Sequence, residues 1–357
     1  MSRRALACLA PYVPGASIDE IAKRYGLSHV IKLASNENPL GSSPLALAAI
    51  GNVASLHLYA DDAHITLKNQ LAAPYELTAQ NVILGHGSNE LVNIVAHALL
   101  DPGDEAVMAM PTFSLYPLAV KSVDAVPIEI PLRDGVHDID AMLAAVTAKT
   151  RLFFVCDPNN PTGTRLDAAD WERIFAELPE QVTLVVDQAY IEYADAPVFD
   201  AAMHSARREN MLVLRTMSKI YGLAALRFGY AYGGAALIAS LEKIRLPFNV
   251  SALAAAGANA ALSDVDFIAR SRALNERGKA ELSSAFARLG LHAYPTHANF
   301  FAVKIPMAAN TAYEALLRQG IIVRSGDGLH MPGRLRITIG TTEQNAALIS
   351  ALESLLA

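Results

Sequence analysis

The sequence predicts an α/β protein with a large domain, built on a mostly parallel sheet of about seven strands sandwiched by helices, and a smaller α+β domain. Between residues 80 and 235, short apolar runs alternate with longer amphipathic stretches, as in βαβ units whose strands are buried on both faces. Beyond residue 235 the pattern changes to Ala-rich helical segments and a few short apolar runs. The length of 357 residues also exceeds the roughly 250 to 300 residues at which one hydrophobic core stops growing.

These patterns divide the chain into three parts. Residues 1–45 are punctuated by proline and glycine, and we expect them to pack on the small domain and on the functional site. Residues 46–245 are predicted to form the large domain and residues 246–357 the small one.

Individual elements of the large domain follow from apolar runs and helix-capping residues. Helices are predicted at 88–100, with Ser88 as the N-cap, at 139–148 and at Ala168–Glu177. The seven strand predictions are 82–84, 106–110, 126–130, 152–156, 183–186, 211–214 and 229–232.

Composition excludes several classes of protein. The formal charge of −6 and the lack of a basic block give no electrostatic footprint for nucleic acid. No stretch reaches the roughly 18 uninterrupted apolar residues of a membrane helix. The ten histidines show no HExxH or comparable spacing, so no metal site is predicted. Two cysteines, Cys8 and Cys156, cannot form a disulfide framework, which favours a reducing cytoplasm.

One lysine stands in a setting that favours covalent chemistry. Lys219 lies between an apolar strand-like run and a Gly/Ala-rich stretch, and Arg227 follows eight residues later. A nearby arginine lowers the pKa of a lysine amine and can also grip a phosphate, so the layout is typical of a Schiff-base lysine beside a phosphate site. The alternative is an ordinary solvated surface lysine.

Two turns that follow predicted strands carry groups able to hold an anion or a ligand oxygen. Gly87, Ser88 and Asn89 open a helix, where amide N–H groups and the helix dipole favour an anion. Asn160 lies in the turn 157–163, where an open α/β sheet binds its ligand. Purely structural turns are the alternative for both.

A carboxylate and two aromatic rings complete the candidate site. Asp187 ends a buried run, where a carboxylate needs a cationic partner such as a pyridinium nitrogen; a helix cap or a salt bridge is the alternative. Tyr190 follows three residues later. Phe113 follows another strand and could stack on a flat cofactor, although core packing is the commoner fate of a phenylalanine.

The order of these segments resembles the fold-type I, class II, pyridoxal-phosphate-dependent aminotransferases, and within them the branch that acts on histidinol phosphate. The likeness covers nearly the whole chain. It rests on residues 11–15, 33–39, Tyr59, 87–90, 159–163, 187–190, 218–219, Arg227 and 335–341.

The resemblance implies pyridoxal 5′-phosphate as the cofactor and assigns residues to each of its parts. Lys219 would bind it covalently and shuttle a proton, with Asp187 on the ring nitrogen. Tyr190 and Asn160 would bond the phenolic oxygen. The remaining cofactor contacts would be Phe113 stacked on the ring, the phosphate ligands Gly87, Ser88, Asn89, Ser218 and Arg227, and Tyr59 reaching the phosphate of the neighbouring subunit of a homodimer.

For the substrate, the resemblance implies that Arg336 grips its anionic end. Arg324 would be a second anion contact, and Tyr12 and Asn36 would close the pocket. The favoured reaction is transamination of histidinol phosphate, the amino donor, with 2-oxoglutarate, the 2-oxo acid acceptor, in histidine biosynthesis. An aromatic amino acid aminotransferase and, with less support, a threonine-phosphate decarboxylase stay open. A cofactor-sensing regulator lacks its helix-turn-helix domain, and a dehydrogenase lacks the dinucleotide fingerprint.

Overall fold

The computed structural model describes residues 15–205 and 208–357. Within them the chain forms twelve strands, of which seven build one central sheet. In chain order the strands are β1 (Ile31–Lys32), β2 (Val82–His86), β3 (Glu105–Met110), β4 (Val126–Pro131), β5 (Thr150–Cys156), β6 (Thr183–Asp187), β7 (Met211–Thr216), β8 (Phe228–Gly233), β9 (Phe300–Lys304), β10 (Ile321–Ile322), β11 (Arg324–Ser325) and β12 (Arg334–Thr338).

The same residues form twelve α-helices and several short 3-10 turns. The helices are α1 (Ile18–Tyr25), α2 (Pro44–Gly51), α3 (Ile65–Ala72), α4 (Gly87–Leu99), α5 (Leu115–Ser122), α6 (Ile139–Ala144), α7 (Ala168–Glu177), α8 (Ala235–Leu241), α9 (Ala252–Ala261), α10 (Val265–Arg288), α11 (Ala309–Arg318) and α12 (Thr342–Leu356). The 3-10 turns are Ala73–Tyr75, Ala79–Asn81, Ile191–Tyr193, Ala201–His204, Ala224–Leu226 and Asp327–Leu329.

The central sheet has the strand order β2-β8-β7-β6-β5-β3-β4. Its neighbours are parallel except at β8, which is antiparallel to both β2 and β7. All seven predicted strands are therefore confirmed, together with the mostly parallel sheet. They could be found from the sequence because strands covered on both faces read as continuous apolar runs.

The two faces of this sheet carry separate hydrophobic cores. One core contains Phe153, Trp171 and Val186, and the other contains Phe154 and Val185, so that alternate residues of β5 and β6 face opposite sides. Helices cover both faces.

The C-terminal part of the chain has a core of its own. The three-stranded sheet β11-β12-β9 packs with α11 and α12 around residues such as Leu335 and Leu348. Leu33 joins this core, and β1 pairs in parallel with β10. Helix α9 packs instead with the central sheet, through Ala254 and Ala258. The domain boundaries at 45 and 245 stay a prediction.

Two details of the predicted helices were wrong. Ser88 is not the N-cap of α4, because the chain turns at Gly87 with φ +75° and the helix begins there, which places Ser88 in its first turn. The helix predicted to reach residue 148 ends at Ala144. Beyond it, the Thr147 amide donates to the Thr150 hydroxyl and the Thr150 amide donates to the Thr147 carbonyl oxygen. A local side-chain bond such as the first competes with a helix.

Residues 15–205 and 208–357 contain neither a single membrane-spanning helix nor a cluster of metal ligands. No single helix there is long and apolar enough to span a bilayer, and α9 with α10 reach that composition only as a pair bent by 77°. The same residues hold no group of three or more side chains arranged as ligands for a metal ion.

Gly222 is expected to be essential for stability. It has φ +68°, and a Cβ there would lie 2.0 Å from the carbonyl oxygen of Gly41. Gly222→Ala should lower the free energy of unfolding by about 2 kcal/mol or more, because it combines left-handed strain with a backbone clash. The measurement is denaturant unfolding of the purified variant.

Gly51→Ala is the matched control, because a Cβ at this helix end meets nothing within 4 Å. Its unfolding free energy should stay the same or rise slightly. Equal unfolding midpoints for the two variants would contradict the predicted clash.

Candidate active site

A cavity of about 260 Å³ lies where β5, β6 and β7 end side by side. The carboxyl ends of adjacent parallel strands are where open α/β sheets bind ligands. Side chains from the large sheet, from β11 and β12, and from the segment after β1 all reach it. Its lining contains Ser35, Asn36, Glu37, Ser88, Asn89, Phe113, Cys156, Asn160, Asp187, Tyr190, Thr216, Ser218, Lys219, Arg227, Arg324 and Arg336.

Lys219 follows β7 and contributes its amine to this cavity. Its Nζ donates a hydrogen bond to the carbonyl oxygen of Ser35 at 3.1 Å. Burial of the amine lowers the pKa of Lys219 to about 8, helped by the positive charges of Arg336 and Arg227 and opposed by Glu37. About a tenth of the amine is therefore neutral, and hence nucleophilic, at pH 7, far more than for an ordinary lysine.

Asp187 ends β6, opposite Cys156 in register, and is 3% exposed. Burial raises the pKa of its carboxyl group, while two hydrogen bonds oppose that shift. The Tyr116 hydroxyl donates to Oδ2 at 2.8 Å, and the Ala189 amide donates to Oδ1 at 3.1 Å. Within residues 15–205 and 208–357, no lysine, arginine or histidine forms an ion pair with this carboxylate. A cationic ligand atom would satisfy it.

Tyr190 is oriented by the N-terminal segment. Asn36, which is 1% exposed, donates from Nδ2 to the Tyr190 hydroxyl at 2.9 Å. The side-chain Oδ1 of Asn36 in turn accepts a hydrogen bond from the Thr338 hydroxyl at 3.2 Å. The Lys219 amine lies 5.5 Å from the centroid of the Tyr190 ring. Asn36 thus reaches the site as a support for Tyr190.

Arg336 is held in place by two oxygens. Its guanidinium donates to Asn160 Oδ1 and to the Ala34 carbonyl oxygen, both at 2.7 Å. Arg324 stands opposite Arg336 in the antiparallel register of β11 and β12, and both arginines line the cavity. This places two guanidinium groups at the small-domain side of the site, an arrangement that suits an anion.

The N-terminus of α4 and Arg227 form a second cationic corner. A Cβ on Gly87 would lie 2.4 Å from Arg227 Nη2, so only glycine lets the guanidinium approach the helix end. Arg227 donates to Ser218 Oγ at 3.4 Å and to the Ala224 carbonyl oxygen at 3.0 Å. Amide groups at a helix N-terminus, hydroxyl groups and one arginine together make a phosphate site.

These residues fit pyridoxal phosphate. The corner at Gly87 and Arg227 suits its phosphate, the buried Asp187 suits a protonated ring nitrogen, and the partly neutral Lys219 suits its aldehyde. Phe113 lines the same cavity and supplies an aromatic wall.

Tyr59, which the resemblance assigns to the site, does not line the cavity. Tyr59 is 84% exposed and stacks on Phe248, with the ring centroids 4.6 Å apart. Tyr12 lies outside the described residues. All the other site residues predicted from the sequence line the cavity, except that Gly87 borders it through Arg227.

The sequence reasoning missed Tyr116, Ser35, Glu37 and Thr216. Ser35 and Glu37 belong to the segment 33–39, on which the family resemblance partly rests, so the resemblance could have indicated both residues. Tyr116 follows Phe113 by three residues, but nothing in the sequence indicates that its hydroxyl meets a carboxylate 71 positions away.

The chain is similar to known proteins over nearly its whole length. The family model for aminotransferase class I and II matches residues 28–352. Histidinol-phosphate aminotransferase 2 of Pseudomonas aeruginosa is 46% identical over 98% of this chain and 96% of that protein. Histidinol-phosphate aminotransferase of Moorella thermoacetica is 43% identical over 99% of this chain and 93% of that protein.

Solved structures agree with the sequence relatives. Histidinol-phosphate aminotransferase from Sinorhizobium meliloti, in complex with pyridoxal 5′-phosphate, matches with a TM-score of 0.90 and 26% identity, over 99% of this chain and 96% of that one. Aspartate aminotransferase from Thermus thermophilus with maleate shares the fold, with a TM-score of 0.85 at 22% identity over 100% of this chain and 99% of that one. Taken with the geometry of the cavity, these matches establish that the chain belongs to the class I and II aminotransferase family.

Proposed function

We propose that this aminotransferase transfers an amino group from histidinol phosphate to 2-oxoglutarate, with pyridoxal phosphate as its cofactor, in histidine biosynthesis. The observation that carries the reaction type is the shared cavity of Lys219, Asp187 and Arg336. The substrate is supported by relatives at 46% and 43% identity that bear the name histidinol-phosphate aminotransferase.

Bound pyridoxal phosphate supplies an aldehyde that captures the amino group and a ring that accepts electrons from the substrate carbon. Lys219 would hold this aldehyde through Nζ, and its amine would serve as the group that moves the proton of the substrate carbon. Asp187 keeps the ring nitrogen protonated. Tyr190 and Asn160 donate to the phenolic oxygen. Ser88, Asn89, Ser218 and Arg227, with the Gly87 turn, would anchor the phosphate, and Phe113, which lines the same cavity, would stack on the ring.

Arg336 and Arg324 bind the anionic end of each substrate in turn. The paired register of their strands brings two arginines to one side of the cavity, which suits a doubly charged phosphate as well as a carboxylate. An aromatic amino acid shares the flat ring and the anionic end of histidinol phosphate, but it would use only a single negative charge there. Tyr12 remains proposed as a closing residue from the N-terminal segment.

The enzyme is proposed to act as a homodimer with shared active sites. Apolar side chains are exposed together on two segments, 45–59 and 246–265, and such surfaces mark protein interfaces. Tyr59 stacks on Phe248 between them, where it can extend towards a second subunit. The exposed apolar residues are Leu45, Leu47, Leu56, Leu58, Leu246, Phe248 and Val265.

A cytoplasmic location completes the proposal. Cys156 is a buried free thiol whose pKa is raised by burial, and a thiol of this kind serves as a core residue in a reducing compartment.

Substrate preference can be tested by single-turnover half-reactions with histidinol phosphate, phenylalanine, tyrosine, threonine phosphate and glutamate, followed by the absorbance of the bound cofactor. Histidinol phosphate should react about a hundredfold faster than either aromatic amino acid, which corresponds to about 2.7 kcal/mol of transition-state discrimination. Lys219→Ala should show no half-reaction with any of them. A faster reaction with phenylalanine or tyrosine would replace the proposed substrate.

The state of Lys219 can be tested in the cofactor-free protein by pH-dependent acetylation read by mass spectrometry. Because the pKa is lowered to about 8, labelling of Lys219 should rise between about pH 7 and 9 and then level off. An ordinary lysine, with a pKa near 10.4, keeps gaining reactivity above pH 10.

Arg336→Met should move the titration midpoint of Lys219 upward, because it removes the positive charge that lowers the pKa of the amine most. Arg334→Met is the matched control, because Arg334 lies on the same strand but stacks on Tyr294, 3.9 Å from the ring centroid, and does not line the cavity. Identical midpoints in the two variants would contradict the electrostatic role of Arg336.

The shared active site can be tested by mixing Lys219→Ala and Tyr59→Phe subunits. Each variant alone should be weakly active or inactive. If Tyr59 serves the neighbouring subunit, each mixed dimer regains one intact site, and a one-to-one mixture should recover about a quarter of the wild-type activity. No gain over the average of the two variants would show that Tyr59 does not act across an interface.

A further inference from the structure

The carboxylate of Asp187 is held on both of its oxygens, by donors from two different places in the fold. The Ala189 amide comes from the turn after β6, whereas the Tyr116 hydroxyl comes from the first turn of α5. One donor on each oxygen fixes the rotation of the carboxylate about its Cβ–Cγ bond. The free lone pairs are then aimed in a constant direction.

Tyr116 is itself firmly placed. It is 1% exposed and stacks on Phe154, with the ring centroids 4.7 Å apart and the planes inclined by 14°. It also meets Phe113 edge to face at 5.5 Å, and its amide donates to the Phe113 carbonyl oxygen. Tyr116 therefore links the residue proposed to stack on the cofactor ring with the residue proposed to pair with the ring nitrogen.

The chemistry of the hydroxyl suits a permanent donor. Burial and the neighbouring Asp187 charge raise the pKa of Tyr116 well above its usual range, so the phenol stays protonated. Among the groups that lower the pKa of Asp187, the Tyr116 hydroxyl has the largest effect. A phenylalanine would fill the same space without this bond, so packing alone does not account for the hydroxyl.

We propose that Tyr116 is a positioning residue of the transamination reaction: its hydroxyl keeps Asp187 ionised and aimed at the ring nitrogen of the cofactor. The inference rests only on the cofactor part of the proposed function and holds whichever amino donor the enzyme prefers.

Tyr116→Phe tests the proposal, because it removes the hydroxyl and keeps the ring that stacks on Phe154. Loss of a bond to a charged group should raise the Kd for pyridoxal phosphate about tenfold and lower kcat about tenfold, with KM for both substrates within about twofold. A ring whose nitrogen is less fully protonated withdraws less electron density from the Lys219 nitrogen bound to it. The pH midpoint of the absorbance change of the holoenzyme should therefore rise, by up to about one pH unit.

Tyr232→Phe is the matched control. Tyr232 is a buried tyrosine that donates to the Leu71 carbonyl oxygen at 2.9 Å, on the face of the sheet away from Asp187. The Tyr232→Phe variant should lose about as much stability as Tyr116→Phe, but its absorbance midpoint and its Kd for the cofactor should stay at the wild-type values. Thermal unfolding of both variants separates general destabilisation from the proposed effect.

A double-mutant cycle with Asp187→Asn identifies the route of the effect. If Tyr116 acts through the carboxylate, Tyr116→Phe should change the cofactor Kd and the absorbance midpoint little in the Asp187→Asn background. An equal additional change in that background would overturn the proposal, as would a Tyr116→Phe enzyme with the wild-type midpoint and cofactor Kd. Failure of the substrate test would leave these readouts unaffected, because they need no amino donor.

Discussion

The burial of the Asp187 carboxylate at the end of β6 is the constraint on which the rest of the site depends. A buried negative charge that forms no ion pair within residues 15–205 and 208–357, and feels only the nearby charge of Lys219, is costly, so the fold must supply donors for both of its oxygens. It does so with one amide from the following turn and one hydroxyl from α5. Among the described residues the carboxylate still lacks an ion-pair partner, and a protonated ring nitrogen is the group that would balance its charge. One wall of the cavity thus carries the negative charge of Asp187, which favours a cation, and the other walls carry the positive charges of Arg227, Arg324 and Arg336.

Two buried hydrogen bonds connect the C-terminal sheet and the N-terminal segment to this region. Arg336 on β12 donates to Asn160 in the turn after β5, and Asn36 donates to Tyr190 in the turn after β6. Both acceptors belong to residues proposed to contact the cofactor ring. A displacement of the small domain would therefore change the groups around the ring as well as those around the substrate. Buried polar pairs of this kind transmit position accurately, because leaving either partner unpaired is unfavourable.

The sequence predicts the central sheet well and the polar contacts poorly, for physical reasons. A strand buried on both faces carries its signal in its own residues, which is why β2 to β8 could all be located. The start of α4 was misplaced by a residue or two because the backbone turn at Gly87 overrides the capping preference of Ser88. The Tyr116 hydroxyl could not be assigned, because its partner is defined only by the packing of α5 against the sheet. Family resemblance supplied the remaining roles, which the residues by themselves left open.

The division of the cavity between two parts of the fold bears on how such an enzyme can change during evolution. The phosphate corner is assembled from α4 and from the loop after β7, where the left-handed backbone at Gly87 and the guanidinium of Arg227 packed against it both disfavour a larger residue. The arginines of β11 and β12 belong to a different sheet with its own core. Substitutions in that sheet that keep Arg336 in place can therefore alter which amine is accepted while the cofactor contacts are retained. A lineage with this architecture is able to duplicate and acquire new substrates by small steps, without passing through an inactive intermediate.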